Sequence, residues 1–158
     1  MRNDTLKDCK KYLEDFKKGD KITSPGRTIT EADIVNFADI SGDWNEIHTN
    51  ENYMKDSSYG KRIAHGLLTL SVARGLFYRT NFSPETVAFL GIENLKFLSP
   101  VFVGDTIRLV SEVIETRPSK SRENVGILKT KDIVKKQNDE NVMEMKTVLM
   151  VKRENMKD

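Results

Sequence analysis

The hydrophobic pattern changes along the chain from a helical period to an alternating one. Over residues 30–42, apolar side chains recur at helical spacing, which predicts a helix. Thr30 fits its N-cap, and Glu31 and Asp33 fall in its first turn. Gly42 can adopt the left-handed conformation that ends many helices. The sequence therefore predicts both ends of this helix.

Two segments precede this helix. Residues 5–16 predict an amphipathic N-terminal helix within residues 1–17, because apolar side chains recur there at spacings of three and four. These side chains are Leu6, Cys9, Leu13 and Phe16. Residues 21–29 predict a strand that is interrupted by Pro25 and Gly26.

A second helical pattern follows at residues 66–78, which are apolar around most of the helix circumference. A helix of this kind must be surrounded by protein. Between the two long helices, residues 43–48 predict a loop, and Asn50 can cap a short helix through Tyr53 and Met54.

From Thr86 onward, apolar and polar residues alternate, which predicts strands. Four strands are expected, at residues 86–97, 106–115, 125–134 and 143–151. Residues 154–158 form a charged tail. Helices followed by long antiparallel strands indicate the α+β class, and the simplest packing wraps one curved sheet around the helix at 66–78.

The composition is that of one domain over residues 1–158, and it excludes several classes of protein. With 26 basic and 24 acidic residues, the chain is too evenly charged for a dedicated nucleic-acid binder or a polybasic membrane anchor. Its apolar runs are too short to span a membrane, and no secretory signal is visible, so we expect a cytoplasmic protein. Cys9 is the single cysteine, which excludes an internal disulfide.

Candidate chemistry lies in the loop at residues 43–48, which carries Asp43, Asn45 and His48. A histidine beside a carboxylate can transfer protons near neutral pH. Taken alone, such a pair is more often an Asp-Asn turn with an incidental histidine. Its place between two helices, ahead of the buried helix, favours the chemical interpretation.

Gly66 stands at the start of that buried helix. A helix N-terminus presents unpaired N–H groups and a positive dipole end, and a glycine lets a carbonyl oxygen approach them closely. Such a site can stabilise an oxyanion or an enolate. A glycine chosen for close helix–sheet packing is the plainer alternative.

Two further features of the sequence have more than one interpretation. His65 could join Asp43 and His48 as metal ligands, but no familiar ligand spacing supports a metal site, and a structural histidine is the plainer interpretation. Residues 117–136 contain seven basic and two acidic residues, which form either a solvated face or a contact for a phosphorylated ligand.

Three segments together resemble the MaoC-like, (R)-specific enoyl-CoA hydratase family. They are residues 41–48 (SGDWNEIH), 63–67 (IAHGL) and 97–105 (FLSPVFVGD). The similarity in pattern extends from about residue 19 to residue 153. It implies a hot-dog fold, in which an antiparallel sheet wraps a central helix, and it implies a homodimer or a higher homo-oligomer.

The resemblance also implies an activity: reversible hydration of a trans-2-enoyl-CoA thioester to an (R)-3-hydroxyacyl product. Asp43 and His48 match the catalytic pair, Asn45 supports their loop, and the Gly66 N–H would polarise the thioester carbonyl. No metal or redox cofactor is implied, and coenzyme A enters as part of the substrate.

The chain departs from the family at two positions. Glu46 stands where the family often has proline. Arg74 stands where some members have a small serine that lines the acyl pocket, so a substrate with a carboxylate or hydroxyl is one expectation.

Lys120 and Arg122 are expected to contact the phosphates of coenzyme A.

Two other functions stay open at the level of sequence. A hot-dog thioesterase would direct its water to the thioester carbon, and a non-catalytic hot-dog subunit would only bind acyl thioesters. The intact pair of Asp43 and His48 disfavours the second of these.

Overall fold

The computed structural model describes residues 10–154. Within them, six strands form one antiparallel sheet, and four helices accompany it. The strands are β1 (Lys21–Thr23), β2 (Arg27–Thr28), β3 (Thr86–Phe97), β4 (Thr106–Pro118), β5 (Val125–Lys136) and β6 (Asn141–Lys152). The helices are α1 (Glu31–Ser41), α2 (Glu46–Thr49), α3 (Glu51–Lys55) and α4 (Gly66–Phe77).

The sheet has the order β1-β4-β5-β6-β3, and β2 extends the pairing of β1 along β4. The long strands β4, β5 and β6 bury alternate side chains, as the period of two predicted. Helix α4 packs on this buried face, where its side chains join the core through Leu68, Ala73, Leu76 and Phe77. The predicted α+β class and the hot-dog arrangement are confirmed.

The caps of α1 form as the sequence predicts. The Thr30 hydroxyl accepts a hydrogen bond from the backbone N–H of Asp33 at 3.3 Å, and the Asp33 carboxylate accepts one from the backbone N–H of Thr30 at 2.8 Å. At the other end, Gly42 has φ 74°, in the left-handed region. This ending turns the chain from α1 into the segment that carries Asp43.

The predicted N-terminal helix is wrong for the part that the structure describes, because residues 10–16 contain only one 3₁₀ turn, Leu13–Asp15. The backbone of Lys11 instead pairs with the segment before β3, accepting a hydrogen bond from Glu85 N–H at 2.8 Å. Leu13 and Phe16 are buried, as their spacing indicated. Residues 1–9, and residues 155–158 of the expected tail, lie outside the described residues.

Two other predictions need correction. Residues 46–49 of the predicted loop form the helical turn α2, because the Asn45 side chain caps it by accepting a hydrogen bond from Ile47 N–H at 3.2 Å. Within residues 10–154, helix α4 is not covered on all sides: Leu67 is 59% exposed. The sheet of these residues covers one face of the helix, and Leu67 lies outside that face. Among the helices of residues 10–154, none is long and apolar enough to cross a membrane.

Candidate active site

The ends of α1, α2 and α4 bring the candidate residues together. Asp43 follows the left-handed end of α1, His48 lies in α2, and Gly66 is the first residue of α4. Asn45 is exposed and holds the turn between Asp43 and His48: its side chain caps α2, and its N–H donates to the Asp43 carboxylate at 3.3 Å. The structure therefore assembles the site from segments that lie more than twenty residues apart.

The ring of His48 is fixed and only 7% exposed. Its Nδ1 lies 2.8 Å from the backbone carbonyl oxygen of Ile63. Because a carbonyl can only accept, Nδ1 carries the hydrogen, and Nε2 of the neutral ring bears a free lone pair. Nε2 is therefore the atom of His48 that can accept a proton.

Burial lowers the pKa of His48 below its ordinary value, and the nearby His65 ring acts in the same direction. The hydrogen bond to Ile63 and the charge of Asp43 oppose this shift of the pKa without cancelling it. His48 is therefore neutral near pH 7, which is the state that a general base requires.

Asp43 and His48 are close but do not touch. The Asp43 Oδ2 atom lies 3.9 Å from His48 Nε2, and the Asp43 side chain is 51% exposed. Both atoms are hydrogen-bond acceptors, so they cannot bond to each other directly. A single water can donate to both, since each O–H contact needs about 2.8 Å. The geometry suits the binding of one water between them.

A cavity of about 440 Å³ lies beside His48 and Gly66, which is a size typical of small-molecule sites. Much of its wall is apolar and comes from the ends of the strands, including Phe97, Leu98 and Val142. A Cβ on Gly66 would lie 2.8 Å from the Phe97 ring, so the wall is narrow at the start of α4. Thr69, one turn further along α4, also lines the cavity.

The side chains of Asp43, His48 and His65, considered above as metal ligands, offer donor atoms within 4.8 Å of one another. The two imidazole rings, however, stack with centroids 3.8 Å apart and planes 30° apart. Ligand nitrogens must direct their lone pairs toward one point about 2.0–2.1 Å away to bind zinc. The two rings instead lie face to face, and one nitrogen of each is already bonded to a backbone carbonyl, so the arrangement does not fit a shared metal ion.

Arg74 lies away from the cavity. Its Nη1 donates to Asp132 at 3.0 Å and to Thr147 at 3.3 Å, and its guanidinium stacks over the Phe77 ring at 4.7 Å. Asp132 is fully buried, so the charge of Arg74 balances a carboxylate inside the protein. In residues 10–154, Arg74 does not line the cavity, and the expected contact with a substrate carboxylate or hydroxyl finds no support in this geometry.

Lys120 and Arg122 lie at the opposite end of the sheet. Their loop joins β4 to β5 beside the pair Pro118 and Gly126, whereas Phe97 at the cavity pairs with Met143 at the start of β6. Gly126 pairs with Val151, and Val151 lies eight residues from Met143 along β6, which is about 26 Å at about 3.3 Å per residue. This chain therefore does not bring the two cations to the cavity that its own described residues form.

Sequence reasoning missed three parts of the site. The Ile63 carbonyl that orients His48 is a backbone group, and no side-chain pattern could have revealed it. Phe97 and Leu98 stood inside the segment that resembles the family, so the signal was present but was not interpreted as cavity wall. His65 was considered only as a metal ligand or a structural histidine.

Comparisons with known proteins identify the family of this chain. Residues 15–136 match the family model described as "MaoC like domain". Protein MaoC of Klebsiella aerogenes is 41% identical over 109 residues, which is 69% of this chain but 32% of that longer protein. The (R)-specific enoyl-CoA hydratase of Rhodospirillum rubrum is 36% identical over 109 residues, 69% of this chain and 74% of the relative.

A solved structure supports the fold. A Mycobacterium tuberculosis protein described as having a double hot-dog fold superimposes with a TM-score of 0.83, at 20% identity, over 95% of this chain and 47% of that chain. Fold and site together thus define a hot-dog protein with an acid–histidine loop at the start of its central helix. The chain belongs to the MaoC-like dehydratase family. Dehydratases and hydratases are hydro-lyases, so the members of this family are enzymes of the hydro-lyase class.

Proposed function

We propose that this protein catalyses the reversible hydration of a trans-2-enoyl-CoA to an (R)-3-hydroxyacyl-CoA. The observation that carries the proposal is the pair formed by Asp43 and His48, 3.9 Å apart, beside a largely apolar cavity and the first residue of α4. The relative from Rhodospirillum rubrum, named (R)-specific enoyl-CoA hydratase, supports the choice of reaction.

In the proposed reaction, one water donates hydrogen bonds to Asp43 and to His48 Nε2. The water oxygen bonds to C3 of the enoyl group as His48 or Asp43 removes a proton, and the C2=C3 electrons move toward the thioester carbonyl. The pair then delivers a proton to C2 on the same face. The sum is one water added across one double bond, which changes no overall oxidation state.

Gly66 is proposed to hold the thioester carbonyl. As water adds to C3, negative charge develops on the carbonyl oxygen of the enolate, and an N–H at the start of α4 would stabilise that charge. A donor of this kind commonly contributes about 10²–10³-fold to the rate. A side chain at Gly66 would meet the Phe97 ring, because its Cβ would lie 2.8 Å from that ring.

The proposal needs neither a metal nor a redox cofactor, because the addition is redox-neutral and the pair supplies the proton transfers. Coenzyme A enters as part of the substrate. Asn45 supports the reaction through the loop: its capping of α2 and its contact with the Asp43 carboxylate hold the spacing of the pair.

The test replaces each member of the pair while it preserves size. Asp43→Asn and His48→Gln should each lower kcat for a trans-2-enoyl-CoA by about 10²–10⁴-fold, because each removes a general acid–base group. Loss of the enoyl absorbance measures hydration. Release of free thiol, measured in the same samples, would reveal a thioesterase instead.

The matched control is Asp39→Asn, the same substitution at an exposed acid of α1 four residues earlier. It should keep wild-type turnover, and thermal unfolding should show that all three variants are folded. Near-normal hydration by a folded Asp43→Asn or His48→Gln variant would contradict the assignment.

A further inference from the structure

The ring that stacks on His48 belongs to His65, the residue just before Gly66. His65 is 2% exposed. Its Nε2 lies 3.0 Å from the backbone carbonyl oxygen of Asp43, so Nε2 carries a hydrogen and donates it. Its ring also packs against Phe37 of α1, with centroids 5.0 Å apart. One side chain thus contacts α1, the Asp43 segment and His48.

Within the described residues, the hydrogen bond from His65 is the one that ties Asp43 to a distant part of the chain. The other hydrogen bonds of residues 41–45 within the described chain join residues of the segment 37–49 to each other, such as Ser41 to Phe37 and Asn45 to Asp43. The hydrogen bond from His65 spans 22 positions and ties Asp43 to the start of α4. The Asp43 side chain is half-exposed, so packing alone does not fix it.

We infer that His65 is a positioning residue for the pair formed by Asp43 and His48. Its Nε2–H fixes the backbone of Asp43, and its ring fixes the plane of His48. The inference rests on the proposed function for its kinetic consequences. It adds to that function, because the 3.9 Å distance between Asp43 Oδ2 and His48 Nε2, where the water would bind, then depends on His65, which does not contact the water.

The two contacts of His65 have different physical effects. Loss of the Nε2–H frees the Asp43 carbonyl and lets the carboxylate move, and a misplacement of about 1 Å can cost about 10²-fold in rate. Loss of the imidazole also changes the surroundings of His48. Burial is the main cause of the lowered pKa of His48, and the His65 ring lowers it further, so removal of this imidazole should raise that pKa.

Two substitutions separate these effects. His65→Phe keeps a flat ring against His48 but has no donor, while His65→Gln keeps an N–H near the position of Nε2 but has no ring. His65→Phe should lower kcat by about 10- to 100-fold with KM changed less than about twofold, because positioning acts on the chemical step. His65→Gln should recover part of this loss.

The pH profile distinguishes positioning from a merely structural role. In both variants the acid limb of kcat/KM should move to higher pH, because the pKa of His48 rises. A residue needed only for folding would reduce the amount of active protein without moving that limb. Wild-type kcat and an unmoved limb in both variants would overturn the inference. If His65→Phe does not fold, the position of the acid limb of kcat/KM in His65→Gln decides between positioning and a merely structural role.

A readout without substrate keeps this inference separate from the proposed function. Nitrogen NMR of the wild-type imidazoles should show His65 protonated at Nε2 and His48 protonated at Nδ1 when neutral. The His65→Phe and His65→Gln variants should move the backbone amide signals of residues 43–45. If the wild type does not hydrate enoyl-CoA, the proposed function fails, and these NMR signals still test the positioning. Neutral His65 protonated at Nδ1 would overturn it.

Discussion

The surroundings of His48 give this residue the properties that the proposed base needs. The carbonyl of Ile63 selects the tautomer, and burial keeps the ring neutral. The charged and titratable groups around it are Asp43 from its own loop, His65 from the start of α4, and Arg62, whose guanidinium lies 3.5 Å from the His48 carbonyl oxygen. Together they leave one free lone pair, on Nε2.

The lowered pKa of His48 predicts the pH dependence of the proposed activity. A base works in its deprotonated form, so activity is lost as the pH falls through the pKa of His48, which lies below the ordinary value of about 6.5. We therefore expect the acid limb of kcat/KM to be centred below pH 6.5. The measurement is kcat/KM against pH, and an acid limb centred above pH 6.5 would contradict the burial argument.

At the scale of elements, the start of α4 combines a helix N-terminus with a narrow wall. Gly66 faces the ring of Phe97, whereas Gly75, two and a half turns along the same helix, is exposed and has open space around it. The two glycines therefore have different roles. Gly66 permits the close approach of Phe97, while Gly75 lowers the helix propensity and, outside its chain neighbours and the backbone of its own helix, has no atom of residues 10–154 within 4 Å of its Cβ position.

Gly66→Ala should impair catalysis without unfolding the protein. Its Cβ would lie 2.8 Å from the Phe97 ring, and this ring is half-exposed, so it can move into the approach to the Gly66 N–H. We expect kcat/KM for a trans-2-enoyl-CoA to fall by about tenfold or more, as when one oxyanion donor is impaired. Steady-state kinetics measure this loss, and thermal unfolding checks the fold.

Gly75→Ala supplies the matched control on the same helix. It should raise the free energy of unfolding by up to about 1 kcal/mol, because alanine has the higher helix propensity. Its kcat/KM should stay at the wild-type value. Equal activity of the two variants would show that the space at Gly66 is unimportant.

For the whole molecule, the arrangement of the sheet matters most: among residues 10–154, β3 is one of its two edge strands. Strand β3 lies at the end of the sheet order and has exposed apolar side chains at Val87, Phe89 and Leu90. Leu67 of α4 is exposed as well. An apolar edge strand with unpaired backbone groups is a template for pairing with another chain. A second copy that extends the sheet across a two-fold axis would pair these groups.

We therefore predict a homodimer, with a mass by light scattering about twice the 18.1 kDa of the chain. Leu90→Lys should shift the protein toward the monomer, because it places a charge at the proposed contact. Ile40→Lys, at an exposed apolar position of α1, is the control and should leave the mass unchanged. A wild-type mass near 18 kDa at micromolar concentration would contradict the dimer.

The elements of the fold were predictable where they depend on neighbours along the chain. Thr30, Asp33 and Gly42 set the ends of α1 through contacts within a few residues, and the period of two marked the long strands. The segment 10–16 was mispredicted because Lys11 pairs with residues 83–85, which no local pattern reveals. Local signals thus determined most elements but not the pairings between distant ones.

The chemistry divides in the same way. An acid, an amide and a histidine in one loop, ahead of a glycine that begins a helix, can be identified from the amino-acid order alone. The packing of the chain is needed to show that Ile63 orients His48, that His65 holds Asp43, and that the sheet places Lys120 far from the cavity. The order of the residues states the type of each side chain directly. The distances between remote segments, and the contacts of their backbone groups, arise only when the sheet and α4 pack together.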